Sequence, residues 1–271
     1  MITVGDPRAA LFASDLHLDE TQPALTARFV ADLDRRLAAP AGEPPTLFLL
    51  GDLFEFWIGD DRLTAPALTL AARLAALVAR GGRVFLMHGN RDFLIDAPLP
   101  TDGSGRLRYS ARCHATLLAD PTVVAIGGRR VALAHGDALC TDDTGYQQWR
   151  ALCRSPAWQQ AFLAKPIAER HAMAVALRSR SRDQQQQRAA MDTLGDVADT
   201  AADALMTELD CDLLIHGHTH QPALHRWQHQ DQPRLRWVLP DWSAGADGPA
   251  RGAVLSLADG LSSDSAAAAP P

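Results

Sequence analysis

Carboxylate, imidazole and carboxamide side chains recur in five short clusters along this 271-residue chain: SDLH at 14–17, GDLFE at 51–55, GNRD at 89–92, HGD at 135–137 and HGHTH at 216–220. Asp15 and His17 stand two apart, which in extended backbone puts both side chains on one face where they can share a cation. His218 and His220 repeat that spacing with two imidazoles. Asp52 adds a carboxylate able to bridge two cations, Asn90 a neutral carbonyl oxygen and His135 a further imidazole. Mixed oxygen and nitrogen donors without a thiolate suit Mn2+, Fe2+, Zn2+ or Co2+. Taken singly, each cluster reads more simply as a turn, a helix cap or a satisfied histidine. GDLFE, for instance, places Glu55 three residues after Asp52, the offset of a capping box. Independent turns, however, have no reason to assemble a complete ligand inventory, and the ordered set points to a pair of divalent metal ions.

Nearly every cluster closes a β-branched or aliphatic run. Such runs lie at 10–13, 46–50, 83–87, 130–134 and 212–215, with two more at 234–239 and 252–257. Continuous apolar runs predict strands covered on both faces. Helical patterns at 24–38 and 65–79 separate the first three, so the chain opens β-α-β-α-β and the fold class is α/β. In open α/β sheets ligands collect beyond the carboxyl ends of strands, where these clusters fall. Gly51, Gly89, Gly136 and Gly217 permit the sharp exits that turn side chains into such a site.

The stretch 145–205 is different. It lacks strand signals and carries Trp149, Leu152, Trp158, Phe162, Ile167 and Leu177 at mostly helical spacing. Between Arg150 and Arg188, eight Arg or Lys face only Glu169 and Asp183, in a protein of net charge −6. A basic, amphipathic helical insertion is expected within a single domain spanning 1–260, followed by a disordered low-complexity tail at 261–271. The acidic balance argues against nucleic acid as a partner, and no feature demands an obligatory protein partner. Four cysteines without paired spacing suit reduced thiols in a cytosolic protein. No signal peptide is visible, and the apolar segment 66–78, interrupted by Arg73, is too short to cross a bilayer.

Taken together, the clusters resemble the calcineurin-like metallophosphoesterase superfamily, whose signature runs D-x-H, G-D, G-N-[H/R]-D, H-G and G-H-x-H. That resemblance implies an α/β sandwich of two mixed β-sheets flanked by helices, with the insertion as a helical lid. It places one metal on Asp15, His17, Asp52 and His220 and a second on Asp52, Asn90, His135 and His218. Asn90, Arg91 and His135 would be catalytic. His216, His88 and His114 are not carried over, and His171, His225 and His229 read as surface histidines. A metal pair can lower the pKa of a water held between its ions and present hydroxide in line with phosphorus. Where many relatives have GNHD this chain has Arg91, a poor proton donor but a good bidentate phosphate clamp. A leaving group that needs little protonation, such as the phosphate of a pyrophosphate, is thereby favoured.

The longer strings SDLHLDE, GDLFEFWIGDD, HGNRDFL, AHGDALCTDD and LIHGHTHQPA resemble the UDP-2,3-diacylglucosamine diphosphatase family of lipid A biosynthesis. This closer resemblance implies two Mn2+ per subunit and attack at the α-phosphorus of an acylated UDP-sugar. The products would be UMP and 2,3-diacylglucosamine 1-phosphate, formed at the cytoplasmic face of the bacterial inner membrane by a peripherally bound enzyme. It implies substrate contacts from Asn90, Arg91, Asp143, Ser181, Gln185, Arg188 and His218; Gln185 and Arg188 stand where relatives have Asn and Lys. The apolar and basic residues of the insertion would meet the acyl chains and the diphosphate. Two rival expectations are a generic metallophosphoesterase acting on another phosphoester and a non-catalytic scaffold on the same fold.

Overall fold

The computed structural model describes residues 1–38, 42–99, 107–190, 196–245 and 250–262, with side chains left undescribed from 180 to 190. In chain order the strands are β1 (Ile2–Val4), β2 (Ala10–Ala13), β3 (Thr46–Leu50), β4 (Arg83–Met87), β5 (Thr116–Leu118), β6 (Thr122–Ile126), β7 (Arg129–Leu133), β8 (Leu213–His216), β9 (Ala223–His229), β10 (Gln232–Val238) and β11 (Leu255–Ser256). The helices are α1 (Pro23–Leu37), α2 (Ala65–Ala79), α3 (Tyr109–Arg112), α4 (Thr144–Cys153), α5 (Pro156–Leu163), α6 (Ile167–Ala190), α7 (Asp199–Glu208) and α8 (Leu257–Ser262).

The strands form two mixed sheets, ordered β1-β6-β7-β8-β10-β9 and β11-β2-β3-β4-β5. Strands β2 to β5 run parallel, with β11 antiparallel on their edge. In the other sheet the pairs β6–β7 and β9–β10 are antiparallel. Alternation along each strand divides the core. Leu47 and Leu49 face α1 and α2, joining Leu25, Phe29, Leu33, Leu70 and Leu74. Phe48 and Leu50 point the other way, between the sheets, with Val131, Leu133, Leu213 and Ile215. Phe12, Phe48 and Phe85 sit in register on neighbouring parallel strands and stack at 5.2 Å steps. Burial on both faces explains why these strands read as unbroken apolar runs.

The strands expected at 10–13, 46–50 and 83–87 are β2, β3 and β4 with those bounds, and the later ones shift by a few residues. Four strands were not expected: β1, β5, β6 and β9. Two of them are only three residues long. The edge strand β9 is exposed or half-buried throughout, so it carries no apolar run. The insertion, expected to reach 205, is shorter. Helix α7 packs Ala202 and Met206 on Ala132 and Leu214, flanking the six-stranded sheet, so the helices beyond the sandwich are α4 to α6. Leu261 and Ser262, assigned to the tail, complete α8, and 263–271 lie outside the described residues. Among the described residues no helix is long and apolar enough to cross a membrane. All four cysteines are free and buried.

Candidate metal centre

Five loops leave the carboxyl ends of β2, β3, β4, β7 and β8 and are tied together by their own backbone. The Asp15 and His17 amides donate to Gly51 O and Asp52 O, each at 3.0 Å, and the Gly217 amide donates to His135 O at 2.9 Å. Asp15 Oδ2 accepts from the His218 amide at 2.9 Å. The first and last clusters, two hundred residues apart in sequence, thus meet through a carboxylate and an amide.

The Asp15 and His17 pair does not converge through extended backbone. Asp15, His17, Asp52, His218 and His220 adopt φ of 53°, 49°, 52°, 68° and 56°. The left-handed region disfavours side chains with a Cβ, at about 1–3 kcal/mol for each such residue. Five non-glycine residues held there at one site show local preference overruled by the surrounding hydrogen bonds. The chain kinks at each donor residue and turns its side chain inward.

Two adjoining donor groups result. In the first, His17 Nε2 and His220 Nε2 stand 3.1 Å apart, and Asp15 Oδ1 lies 3.9 and 3.4 Å from them. Asp15 Oδ1 is fully buried without a hydrogen-bond partner, as is His17 Nδ1. An orphaned carboxylate oxygen facing two imidazole nitrogens is costly unless a cation satisfies it. In the second, Asn90 Oδ1 lies 3.1 Å from His135 Nε2 and 2.9 Å from His218 Nδ1. Asp52 Oδ1 is 3.7 Å from His135 Nε2. The donor atoms of Asp15, Asp52 and His135 also lie within 4.8 Å of one another. Asp15 is therefore within reach of both groups, and Asp52 Oδ1 stands with His135 in the second. All seven expected donors meet here, and the set fits two divalent cations.

Electrostatics divide the histidines. Burial alone would lower His135, but Asp52, Asp137 and Asp15 outweigh it and carry it up to about 9. Burial, then the His135 charge, pushes His218 down to about 3. Burial works to raise Asp15, yet contact with His220 and the fields of His135 and His17 hold it below the usual carboxylate range. Burial raises Asp52. His135 Nδ1 is paired with Leu50 O at 2.9 Å, so Nε2 is the atom that exchanges a proton for a cation. Below its folded pKa that nitrogen is protonated and must lose the proton to a metal. Metal uptake by the metal-free protein near pH 7 is accordingly expected to release about one proton, with affinity rising roughly tenfold per pH unit until about pH 9. Calorimetry in buffers of different ionisation heat reads this directly, and an uptake without proton release would contradict it.

Arg91 stands at the rim, its side chain 9% exposed, with Nε 3.3 Å from Asp52 Oδ2 and Nη1 donating to Glu55 Oε2 at 2.6 Å. Two residues without an expected role hold the loops. Asp92 accepts from the Leu53 and Gly89 amides, each at 2.7 Å, locking the loop after β3 to that after β4. Asp137 accepts from Tyr146 Oη at 2.6 Å and Arg150 Nε at 2.8 Å, anchoring α4 to the loop after β7. Both lie inside the GNRD and HGD motifs, beside the expected donors Asn90 and His135. His216, set aside at the sequence level, is buried with Nδ1 on Gly217 O at 2.8 Å and outside both donor groups.

Among the described residues of the insertion, the basic side chains are engaged. Arg150 and Arg154 meet Asp137, Lys165 meets Glu169, Arg170 meets Asp61 and Arg178 meets Glu55. Of the eight basic residues, these five pair with acids. Four of them act as joints that fasten α4 to α6 onto the sandwich. Trp149, Trp158 and Phe162 pack on one another, while Leu152 and Ile167 are 53% and 40% exposed. Asp143 caps α4, accepting from the Tyr146 amide at 3.0 Å. The side chains of Ser181, Gln185 and Arg188 lie outside the described residues.

Residues 10–222 match the family model for calcineurin-like phosphoesterases. The chain is 45% identical over 251 residues to a UDP-2,3-diacylglucosamine hydrolase of Chromobacterium violaceum, covering 92% of this chain and 94% of the relative. A protein of that name from Xanthomonas campestris pv. campestris is 42% identical over 93% of this chain and 96% of its own. One from Bordetella pertussis is 44% identical, covering 92% of each. The family binds divalent metal, and the paired donor groups are this chain's candidate seat for it. Sequence, sandwich and donor set agree that the chain belongs to the calcineurin-like phosphoesterase family.

Proposed function

We propose that this chain hydrolyses the pyrophosphate bond of UDP-2,3-diacylglucosamine, releasing UMP and 2,3-diacylglucosamine 1-phosphate, with two Mn2+ held by Asp15, His17, Asp52, Asn90, His135, His218 and His220. The observation that carries the reading is the pair of adjoining donor groups with Arg91 at their rim, in a chain 42–45% identical to hydrolases of that substrate. When bound, a pair of divalent cations supplies Lewis acidity and lowers the pKa of a water at the site.

The chain's own groups do the rest. Arg91 presents a planar, permanently charged fork that can hold two phosphate oxygens at once. It cannot give up a proton, which suits a phosphate leaving group whose second pKa is about 6. Asn90 and His218 bear on the second donor group and on the phosphate beside it. Buried Asp15 and Asp52 supply carboxylates that bound cations would neutralise, and the loaded cations would add the positive charge that attracts the diphosphate. Asp143, Ser181, Gln185 and Arg188 belong to the proposed substrate contacts, with α4 to α6 covering the acyl chains. Exposed Leu152, Ile167 and Val175 on those helices support a peripheral position at the cytoplasmic face of the inner membrane, where such a substrate resides.

Hydrolysis in heavy-oxygen water tests the reading. The label is expected in UMP, as read by mass spectrometry of the products. Label confined to the sugar phosphate would move the attack to the other phosphorus, and no turnover of the acylated nucleotide sugar with manganese would refute the substrate.

A further inference from the structure

Glu55 closes the GDLFE motif, three residues beyond Asp52, and its two carboxylate oxygens serve two different parts of the molecule. Oε2 accepts from Arg91 Nη1 at 2.6 Å. Oε1 accepts from Arg178 Nε at 2.8 Å, and Arg178 belongs to α6, 123 residues further along. His17 Nδ1 lies 3.7 Å from Oε2. The side chains of Glu55, Arg91 and Arg178 are 13%, 9% and 16% exposed, so the pairs are shielded from water and their charge-assisted bonds are strong.

Backbone contacts make this carboxylate decisive for Arg91. The Arg91 amide donates to Asp52 Oδ1 at 2.9 Å, and Arg91 O accepts from the Trp57 amide at 3.0 Å. The main chain of Arg91 is thus held at both ends, and only its long side chain is left to place. Asp52 Oδ2 and Glu55 determine that placement. Glu55 is itself seated by its amide on Leu18 O at 3.2 Å, in the loop that carries His17. On the far side, α6 meets the 55–61 loop through Arg178 on Glu55, His171 edge-on to Phe56 at 5.3 Å, and Arg170 on Asp61 and Ile58 O. Eight residues of helix separate those arginines, roughly 12 Å. Glu55 holds the end nearer Arg91.

We propose that Glu55 is a positioning residue that sets the Arg91 guanidinium at the rim of the donor groups and seats helix α6 beside it, coupling enclosure of the acylated substrate to the grip on its phosphate. The proposal rests on the substrate reading above only for the enclosure half. Removing the Glu55 charge frees the Arg91 side chain to rotate and loosens the α6 contact together, whereas removing Arg178 loosens α6 alone.

A pair of mutant cycles on the full-length, manganese-loaded protein decides it, with kcat, KM and metal content measured on the acylated nucleotide sugar and on bis-p-nitrophenyl phosphate. Glu55→Gln, nearly isosteric, is expected to lower kcat on both substrates by about 10–100-fold, the range for a group that orients a reacting neighbour, with metal content unchanged. In an Arg91→Ala background the same change should cost no further kcat. Arg178→Ala should raise KM for the acylated substrate and not for the small diester, and Glu55→Gln should add nothing to that rise. Glu55→Asp, which keeps the charge one methylene short, should follow Gln with a smaller loss. Multiplicative kcat losses in the Arg91→Ala background, or metal lost with Glu55→Gln, would overturn the proposal, the latter by showing action through His17. Wild-type turnover of the diester without turnover of the acylated substrate would refute the substrate reading, while the Arg91 cycle on the diester would still decide the placement role.

Discussion

Asp52→Ala is expected to abolish turnover and to leave the purified protein with at most one metal ion. The carboxylate does three things at once. Its Oδ1 is 3.7 Å from His135 Nε2, within the second donor group. The same oxygen accepts from the Arg91 amide at 2.9 Å, and Oδ2 is 3.3 Å from Arg91 Nε. Alanine removes the charge that neutralises a cation, the acceptor that fixes the GNRD loop and half of the guanidinium's seat. Losing a cation forfeits several kcal/mol of charge stabilisation, so kcat should fall by at least about a thousandfold. Asp52→Asn separates the contributions, because it keeps an acceptor for the Arg91 amide and drops the charge. Elemental analysis and single-turnover kinetics on both variants check the prediction, and an Asp52→Ala protein with two metals per chain and measurable kcat would contradict it.

The candidate donors that the structure brings together were legible in the sequence because they depend on side-chain type and order, and a strand end delivers whatever follows it. Their backbone geometry was not. Left-handed φ at Asp15, His17, Asp52, His218 and His220 runs against the preference of residues with a Cβ, and only the tertiary hydrogen bonds between loops pay for it. Charge in the insertion was legible too, but its partners were not, since Arg170 and Arg178 pair with acids 109 and 123 residues away. A surplus of arginine suggests anion binding, yet among the described residues Arg150, Arg154, Arg170 and Arg178 each meet an acid of the sandwich.

The sheet shows the same division. Runs buried on both faces announced β2, β3 and β4 residue for residue, because two covered faces leave no room for polar punctuation. Strand β6 could have been found: Gly127 and Gly128, at φ of 57° and 80°, join Thr122–Ile126 to Arg129–Leu133 as the two-residue turn that favours glycine at both central positions. Strand β9 carried no such signal. Its pairing with β10 over seven residues comes from backbone hydrogen bonds at a sheet edge, where side chains such as His225, Arg226, Gln228 and His229 are free to be polar.

Gly89→Ala should inactivate the protein about as thoroughly as loss of a donor while leaving the fold in place. Gly89 begins the GNRD loop, and its backbone is not in the left-handed region, so conformational preference is not the reason for glycine here. Proximity is. A Cβ at this position would overlap the Asp52 carboxylate and the Asp52 backbone nitrogen. On the facing side, a Cβ on Gly51 would stand 2.6 Å from the Gly89 nitrogen and 2.7 Å from His135 Nδ1. The loops after β3 and β4 thus touch glycine to glycine, and the extra methyl must push them apart. The Asp92 carboxylate, which bonds both loops through the Leu53 and Gly89 amides, resists that movement. Overpacking of this kind costs about 1–3 kcal/mol of stability, which a sandwich with its core between two sheets can absorb. The donors cannot absorb it: a shift near 1 Å can cost about a hundredfold in rate. Gly128→Ala is the control. Nothing lies within 4 Å of its added Cβ, although φ there is 80°, so that variant should lose about 1 kcal/mol of stability and no activity. Thermal unfolding, metal content and kcat measured on both variants separate close approach from backbone preference, and an active Gly89→Ala protein would show that the two loops tolerate separation.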